Sequence, residues 1–414
     1  MDELVLGLDL CDSYTQLSCW GQENSWTIPT VICRKKDEDT WLVGEAAYAS
    51  ALVGEGIMVD KLLKMVLKDG TATINGVKYK GMELLQKFLK QVFLLPLGAE
   101  GNEAAYDSSR ITQLVITIPR VEAHLVDCLM YCADYLQIPR SRVHVISHTE
   151  SFLYYVLSQK REVWNNQVGM FDLSEDCLCY YEMKVARGMR QVSVVAEREK
   201  LDEGFSLDIL SSPSGVRLAD KILCACGERF LQKKLFSSVF LTGKGFETQD
   251  WASGFMKLVC GSRRRVFVEP VLFAQGAAYK ALDLNRDKTA YPYVMICDGR
   301  LDTTVSVKVL HQDQETQLVL AAAGDSWYES KSTVEFILDK QDYLELAVVP
   351  PDAKRKKTVK LTLEGFPQRD DKTLRVQVQI GFLDDKTMAV VVKDMGFGEF
   401  YPSSGAMIRQ EVMI

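Results

Sequence analysis

One pattern occurs twice in this 414-residue chain and restricts what it can fold into. Leu4 to Thr15 reads LVLGLDLCDSYT, an apolar run that ends in Asp9 and enters a tight polar turn, and a second apolar run returns over Gln16 to Trp20. About 160 residues later VGMFDLSEDCLCYYEMKV, from Val168, repeats the arrangement as strand, Asp172, polar turn and returning strand. A repeat at this scale predicts a duplicated fold. Such a hairpin can hold phosphate with backbone N–H groups while its Asp addresses a hydrated metal. Alternatively each Asp caps its own turn by accepting backbone N–H bonds.

The intervening chain fits a sheet layered with helices. Leu114 to Ile118 (LVITI) is a continuous apolar run stopped by Pro119, as expected of a strand buried on both faces. A helix is expected over Val121 to Leu136, a strand over Val143 to Ile146 and a helix over Thr149 to Gln159, and this alternation implies a parallel sheet. Earlier, two short strands flank the charged loop Arg34 to Asp39, Gly44 opens a helix, and Ile57 to Leu67 has helical spacing and carries Lys61 and Lys64. Asn75-Gly76 marks a hairpin turn, and Gly81 to Leu97 reads as an amphipathic helix. A soft linker follows over Gly98 to Ser109. In the second half we expect a helix from Gly215 to Leu235, a strand from Ser238 to Thr242, and a helix from Pro270 to Leu282 with the small face Gly276-Ala277-Ala278. From about Tyr291 the texture changes to some eight short β-branched segments, among them TTVSVKVL, YLELAVV, LRVQVQIGF and TMAVVVKD, which predict an all-β sandwich or barrel.

Charge and cysteine usage narrow the function classes. A net charge of −7 and a pI near 5.4 argue against nucleic acid as the main partner. No apolar run reaches bilayer length, and MDELVLGLDL lacks the basic n-region of a signal peptide. Eleven cysteines without framework spacing predict reduced thiols in a cytoplasmic protein.

In motif order the chain resembles the actin and heat-shock-chaperone superfamily of two-lobed ATPases, and within it the seventy-kilodalton (DnaK-like) chaperones. GLDLCDSYT resembles the first phosphate motif, MFDLSEDCLCYYEM the second, VFLTGKGF the adenosine motif and EPVLFAQGAAYKA the closing helix. The segment from Leu114 through Leu157 resembles the strand–helix–strand–helix block that closes the first lobe, and LTLEGFPQRDDKTLRVQVQIGFLDDKTMAVVVKD the core of a chaperone substrate-binding sandwich. The resemblance implies an α/β, two-lobed actin-like fold, with lobe I at 1–166, a reduced lobe II at 167–288 and a β-sandwich at 289–414. It implies that Asp9 and Asp172 hold Mg²⁺ through water and that Lys61 polarises the γ-phosphate. Asp12, Ser13, Ser174, Gly243, Lys244 and Gly245 would be the nucleotide-binding positions, with ATP or ADP and Mg²⁺ as the cofactor if one is held.

The phosphate cradle departs from that family. Where its turns carry Gly-Thr-Thr and Gly-Gly-Gly-Thr, this chain has Cys11-Asp12-Ser13 and Ser174-Glu175-Asp176-Cys177. A Cβ at such points blocks close backbone approach. Asp12, Glu175 and Asp176 add carboxylates, each repelling phosphate by on the order of 4 kcal/mol at ~4 Å. The family's catalytic Glu aligns with Ser147, or with His148 one register away, and only about 70 residues separate Asp172 from Leu241. Lys244 stands at a glycine position, as a phosphate contact or as an ordinary loop lysine.

Other constellations point elsewhere weakly. His124, Cys128 and Cys132 share a helix face, the arrangement of a metal site or of a buried cysteine stripe. Cys177/Cys179 and Cys224/Cys226 lack redox CxxC spacing, and the basic runs Arg263-Arg264-Arg265 and 354–357 read as solvated loops. The expectation is therefore a degenerate pseudo-ATPase that binds a protein or peptide through its β-domain, touching neither membrane nor nucleic acid. The alternative is an active Mg-ATP-binding, chaperone-type ATP hydrolase with altered phosphate loops.

Overall fold

The computed structural model describes the chain except residues 1–2, 22–24, 37, 39, 175–176, 187–191, 340–341, 352–355 and 371. Glu175, Asp176 and Asp39, together with residues 354–355 of the basic run, therefore lie outside the described residues. The chain divides into two compact units, Met1–Val185 with Ala196–Pro292, and Ala186–Val195 with Tyr293–Ile414.

In the first unit, strands β1 (Leu4–Leu10) and β2 (Tyr14–Cys19) form the opening hairpin, followed by β3 (Ser25–Pro29). Strands β4 (Ile32–Lys35), β5 (Trp41–Val43) and β6 (Gly56–Val59) make a small sheet around α1 (Gly44–Leu52). The helix expected from Ile57 begins only at Leu62, as α2 (Leu62–Leu67), because Ile57 to Val59 pair with β4 as strand. Next comes the hairpin of β7 (Thr71–Ile74) and β8 (Val77–Lys80). Asn75 has φ 49° and Gly76 has φ 79°. Positive φ at both central residues is the mark of a type I′ turn. Helix α3 (Gly81–Leu97) follows, its first turn held by the Lys80 N–H donating to Glu83 Oε2 at 3.0 Å. Strand β9 (Ile111–Ile118), helix α4 (Ala123–Tyr135), strand β10 (Val143–Ser147) and helix α5 (His148–Ser158) complete the first half. Its sheet has the order β10-β9-β1-β2-β3.

The second half repeats that scheme. Strands β11 (Gln167–Ser174), β12 (Cys177–Ala186) and β13 (Ser193–Lys200) precede helix α6 (Pro213–Leu231), strand β14 (Phe236–Thr242), helix α7 (Ser253–Val259), strand β15 (Arg265–Val268) and helix α8 (Leu272–Leu284). These five strands run in the order β15-β14-β11-β12-β13 within a six-stranded sheet, the same permutation as in the first sheet. In each, an antiparallel hairpin is continued on its other side by two parallel strands. The central strand is therefore buried and reads as an unbroken apolar run.

Helices α5 and α8 join the halves. Every residue of α5 from His148 to Leu157 is buried, which suits a central helix rather than a surface one. A Cβ on Gly276 of α8 would stand 2.1 Å from the Ser151 carbonyl oxygen, and one on Gly7 of β1 would stand 2.2 Å from the Ala274 carbonyl oxygen. Both contacts need glycine, and Ser151 Oγ adds a hydrogen bond to the Phe273 carbonyl at 2.5 Å.

The second unit is built of strands. Ser193–Val195 of β13 pair in parallel with β16 (Val294–Ile296). One antiparallel sheet has the order β18-β17-β20-β21, from β17 (Thr304–His311), β18 (Gln314–Ala321), β20 (Tyr343–Val349) and β21 (Lys357–Thr362). The other has the order β19-β22-β23-β24, from β19 (Ser332–Leu338), β22 (Leu374–Phe382), β23 (Thr387–Asp394) and β24 (Met407–Met413). Burial alternates along β20, β22 and β23, so these strands bury one face and expose the other, a pattern compatible with a sandwich. Arg369 grips Asp394 through two bonds of 2.9 and 2.8 Å, and the backbone N–H groups of Gly396 and Ser404 donate to the same carboxylate. Among the described residues no helix is long and apolar enough to cross a membrane.

Candidate functional site

The two strand–Asp–turn hairpins converge on one cavity of about 200 Å³ within the first unit. Its walls include Asp9, Cys11, Ser13 and Tyr14 from the first hairpin, and Asp172, Ser174 and Cys177 from the second. His148, Arg198, Lys244 and Phe273 complete its chemistry.

The duplication places the two Asp residues equivalently. Asp9 lies beside Thr117 of the parallel neighbour β9, and Asp172 beside Thr242 of β14. Two residues on, Cys11 Sγ reaches back to Asp9 Oδ1 at 3.5 Å, and Ser174 Oγ donates to Asp172 Oδ1 at 2.9 Å. The halves then diverge. His148, the first residue of α5, brings Nε2 to 2.7 Å from Asp9 Oδ1 and to 3.8 Å from Cys11 Sγ. Its ring stacks on Phe273 of α8, with centroids 3.9 Å apart and planes 12° from parallel. Asp9 and His148 are only 6% and 4% exposed, so the pair is removed from bulk solvent. A Cys–His–Asp relay would use the two ring nitrogens separately, whereas both groups here meet Nε2.

Asp172 meets the Ser174 hydroxyl where Asp9 meets an imidazole. Burial pushes the Asp172 pKa up to about 6, against the opposing pull of His148, Ser174 and Arg198. Burial, reinforced by Asp9 and Asp172, likewise holds the Cys11 thiol well above its usual range, so it is protonated and a poor nucleophile. Cys177 and Cys179 approach to 3.3 Å between sulfurs, with Arg198 Nη2 3.1 Å from Cys179 Sγ. Lys244 Nζ bonds the Tyr14 hydroxyl and lies 4.7 Å from the centre of its ring. Gly243 is held at φ 90°, where a Cβ would fall 2.5 Å from the Leu173 carbonyl oxygen.

The remaining positions expected from the sequence lie elsewhere. Asp12 turns away from the cavity and accepts the N–H groups of Leu63 and Lys64 at 3.1 and 3.2 Å. It thereby caps α2 and adds no carboxylate to the cavity wall. Lys61, exposed at the start of α2 with φ 52°, is not among the cavity's lining residues. Gly245 packs on Leu173 rather than lining the space. Ser147 caps α5 through the Glu150 N–H at 3.1 Å, which leaves the next residue, His148, to face Asp9. Of the His124 stripe, Cys128 and Cys132 are buried, and Cys132 Sγ meets Met82 Sδ at 3.7 Å, the contact of a packed face.

Three participants were not evident in the sequence: the His148–Asp9 bond, Phe273 and Arg198. The signal for His148 was its place directly after strand β10, parallel to Asp9's own strand. Phe273 and Arg198 come from strand and helix orders that only the assembled sheets reveal.

No curated protein matches the chain significantly. Residues 300–414 match a domain of unknown function, DUF8552, and residues 13–298 match the C-terminal model of a family of unknown function, DUF5716. The latter match spans well over half of the sequence, and the chain belongs to the DUF5716 C-terminal family.

Proposed function

We propose that the chain is a divergent member of the two-lobed ATPase architecture shared by actin and the heat-shock chaperones, no longer holding nucleotide, whose lobes serve as a scaffold and whose β-domain binds a protein or peptide. Two sheets that share a five-strand order, each with an Asp near the end of its central strand, support the architecture.

The observation that carries the loss of nucleotide is the His148–Asp9 bond of 2.7 Å. A hydrated Mg²⁺ keeps several waters and reaches protein carboxylates through them. Here Asp9 Oδ1 has an imidazole nitrogen 2.7 Å away and Cys11 Sγ 3.5 Å away, and these softer neighbours suit hydrated Mg²⁺, which prefers oxygen, poorly. The cavity, about 200 Å³, is also small for a nucleotide. Small-molecule sites run to roughly 300–1000 Å³. Mg²⁺ with a triphosphate does not fit these residues. Repulsion by Asp12, expected from the sequence, contributes nothing to this argument because Asp12 caps α2. The active-ATPase reading draws on Arg198, Lys244 and the bare Gly243 backbone, which offer an anion some purchase.

A thermal-shift titration of the full chain with Mg-ATP separates the two. A ligand at 100 times its Kd stabilises by about 2.7 kcal/mol, so even modest binding registers. We expect no shift at millimolar nucleotide. A saturable shift abolished by Asp9→Asn would overturn the proposal.

A further inference from the structure

Asp9, Cys11 and His148 present three different donor atoms, all within 4.8 Å of one another, on the wall of a cavity. Zinc in tetrahedral sites takes sulfur at about 2.3 Å and nitrogen or oxygen at about 2.0–2.1 Å, which places any two ligand atoms roughly 3.3–3.6 Å apart. The observed separations are 3.5 Å for Cys11 Sγ to Asp9 Oδ1, 3.8 Å for Cys11 Sγ to His148 Nε2, and 2.7 Å for His148 Nε2 to Asp9 Oδ1. Two of the three are near the ion's requirement already. The third, at 2.7 Å, is a hydrogen bond, and it must open by roughly 0.6–0.7 Å when an ion replaces the shared proton.

We propose that Asp9 Oδ1, Cys11 Sγ and His148 Nε2 bind a Zn²⁺ ion, with its fourth position open to the cavity. The donor set selects the metal: a thiolate and an imidazole suit Zn²⁺, whereas Mg²⁺ and Ca²⁺ prefer oxygen alone. Three protein ligands and one open position is also the form of zinc sites that bind an exchangeable water. Supporting groups are in place. Phe273 stacks on the His148 ring and fixes its plane, and Asp9 sits on a central strand paired on both sides. Charge balances too, since one thiolate and one carboxylate neutralise the ion. Ligation requires the thiol proton to leave to solvent, and the proton on Nε2 to move to Nδ1 or to solvent, so binding releases at least one proton per ion.

The chain stripped with EDTA is titrated with Co²⁺ as a spectroscopic stand-in and with Zn²⁺ in competition. We expect one equivalent to give the intense d–d bands of a tetrahedral site and a thiolate-to-metal charge-transfer band. Cys11→Ser should abolish the charge-transfer band. His148→Asn should weaken affinity by more than the ~10–100-fold that loss of an outer-shell partner costs, while Cys128→Ser leaves both unchanged. Should either site variant fail to fold, alkylation of the unaltered chain, mapped by mass spectrometry, takes its place: Zn²⁺ should slow modification of Cys11 and not of the exposed Cys260. No stoichiometric binding, a band that survives Cys11→Ser, or Cys11 alkylation indifferent to Zn²⁺ overturns the proposal. It does not rest on the nucleotide reading, and each test can fail while the other stands.

Discussion

The Asp172 carboxyl offers a quantitative test of the cavity. It is 7% exposed and accepts a hydrogen bond from Ser174 Oγ at 2.9 Å. Burial moves its pKa from near 4 in the unfolded chain to about 6 in the folded one. The native state therefore binds the proton more tightly. Stability from this group is fully present below about pH 4, falls as pH rises towards 6, and is level above it. The span corresponds to on the order of 3 kcal/mol. Asp172→Asn removes the titration but keeps the shape, and introduces an amide N–H whose lack of a partner costs a constant amount of roughly 1–3 kcal/mol. The difference between variant and parent should thus swing by about 3 kcal/mol in the variant's favour between about pH 4 and 7.5, whatever that constant. Urea unfolding in EDTA, followed by tryptophan fluorescence, measures it. Trp20, Trp26, Trp41, Trp164 and Trp251 all lie in the first unit, with only Trp327 in the second, so the signal reports mainly on the unit that holds Asp172. A pH-independent difference, or one that swings the other way, would show that Arg198 and His148 hold the carboxylate charged, and the reasoning would be refuted.

The other predictions concern packing and caps. In the second unit, against the opposing effect of burial, the backbone N–H groups of Ser404 and Gly396, then the Ser404 hydroxyl and the Arg369 fork, hold the Asp394 pKa down to about 2. Its contribution is therefore present above about pH 4 and is lost as pH falls through about 2. Arg369→Ala leaves that carboxylate buried. The loss should be about 3–5 kcal/mol by denaturant titration, and one below about 1 kcal/mol would contradict the burial. Gly276→Ala forces a methyl to within 2.1 Å of the Ser151 carbonyl oxygen. It should lower stability by at least the ~1–3 kcal/mol of an overpacked core, and a neutral result in calorimetry would mean that α5 and α8 do not touch there. Asp12→Ala removes the cap of α2. It should cost about 1 kcal/mol while leaving metal binding at the cavity unaltered. Loss of Co²⁺ binding in that variant would place Asp12 in the site after all.

The sequence alone was enough to place the repeated strand–Asp–turn, the alternation of strands and helices, and the change to short β segments after Tyr291. These are local properties: a buried parallel strand must be an unbroken apolar run, and Asn75-Gly76 favours a hairpin whatever surrounds it. The glycine-bearing face of α8 was legible for the same reason, although its partners, Ser151 and β1, were not. Charge was read less well. Asp12 looked like a carboxylate aimed at phosphate, but a side chain's direction depends on what packs beside it, and the N-terminus of α2, some 50 residues on, takes both of its bonds. The cavity's character was likewise decided in three dimensions. The parallel pairing of β10 with β9 and β9 with β1 carries His148, 139 residues away in sequence, onto Asp9, and the crossing of α5 and α8 stacks Phe273 behind it. Sequence spacing encodes which strand an Asp ends; only the order of the strands determines which atom meets it.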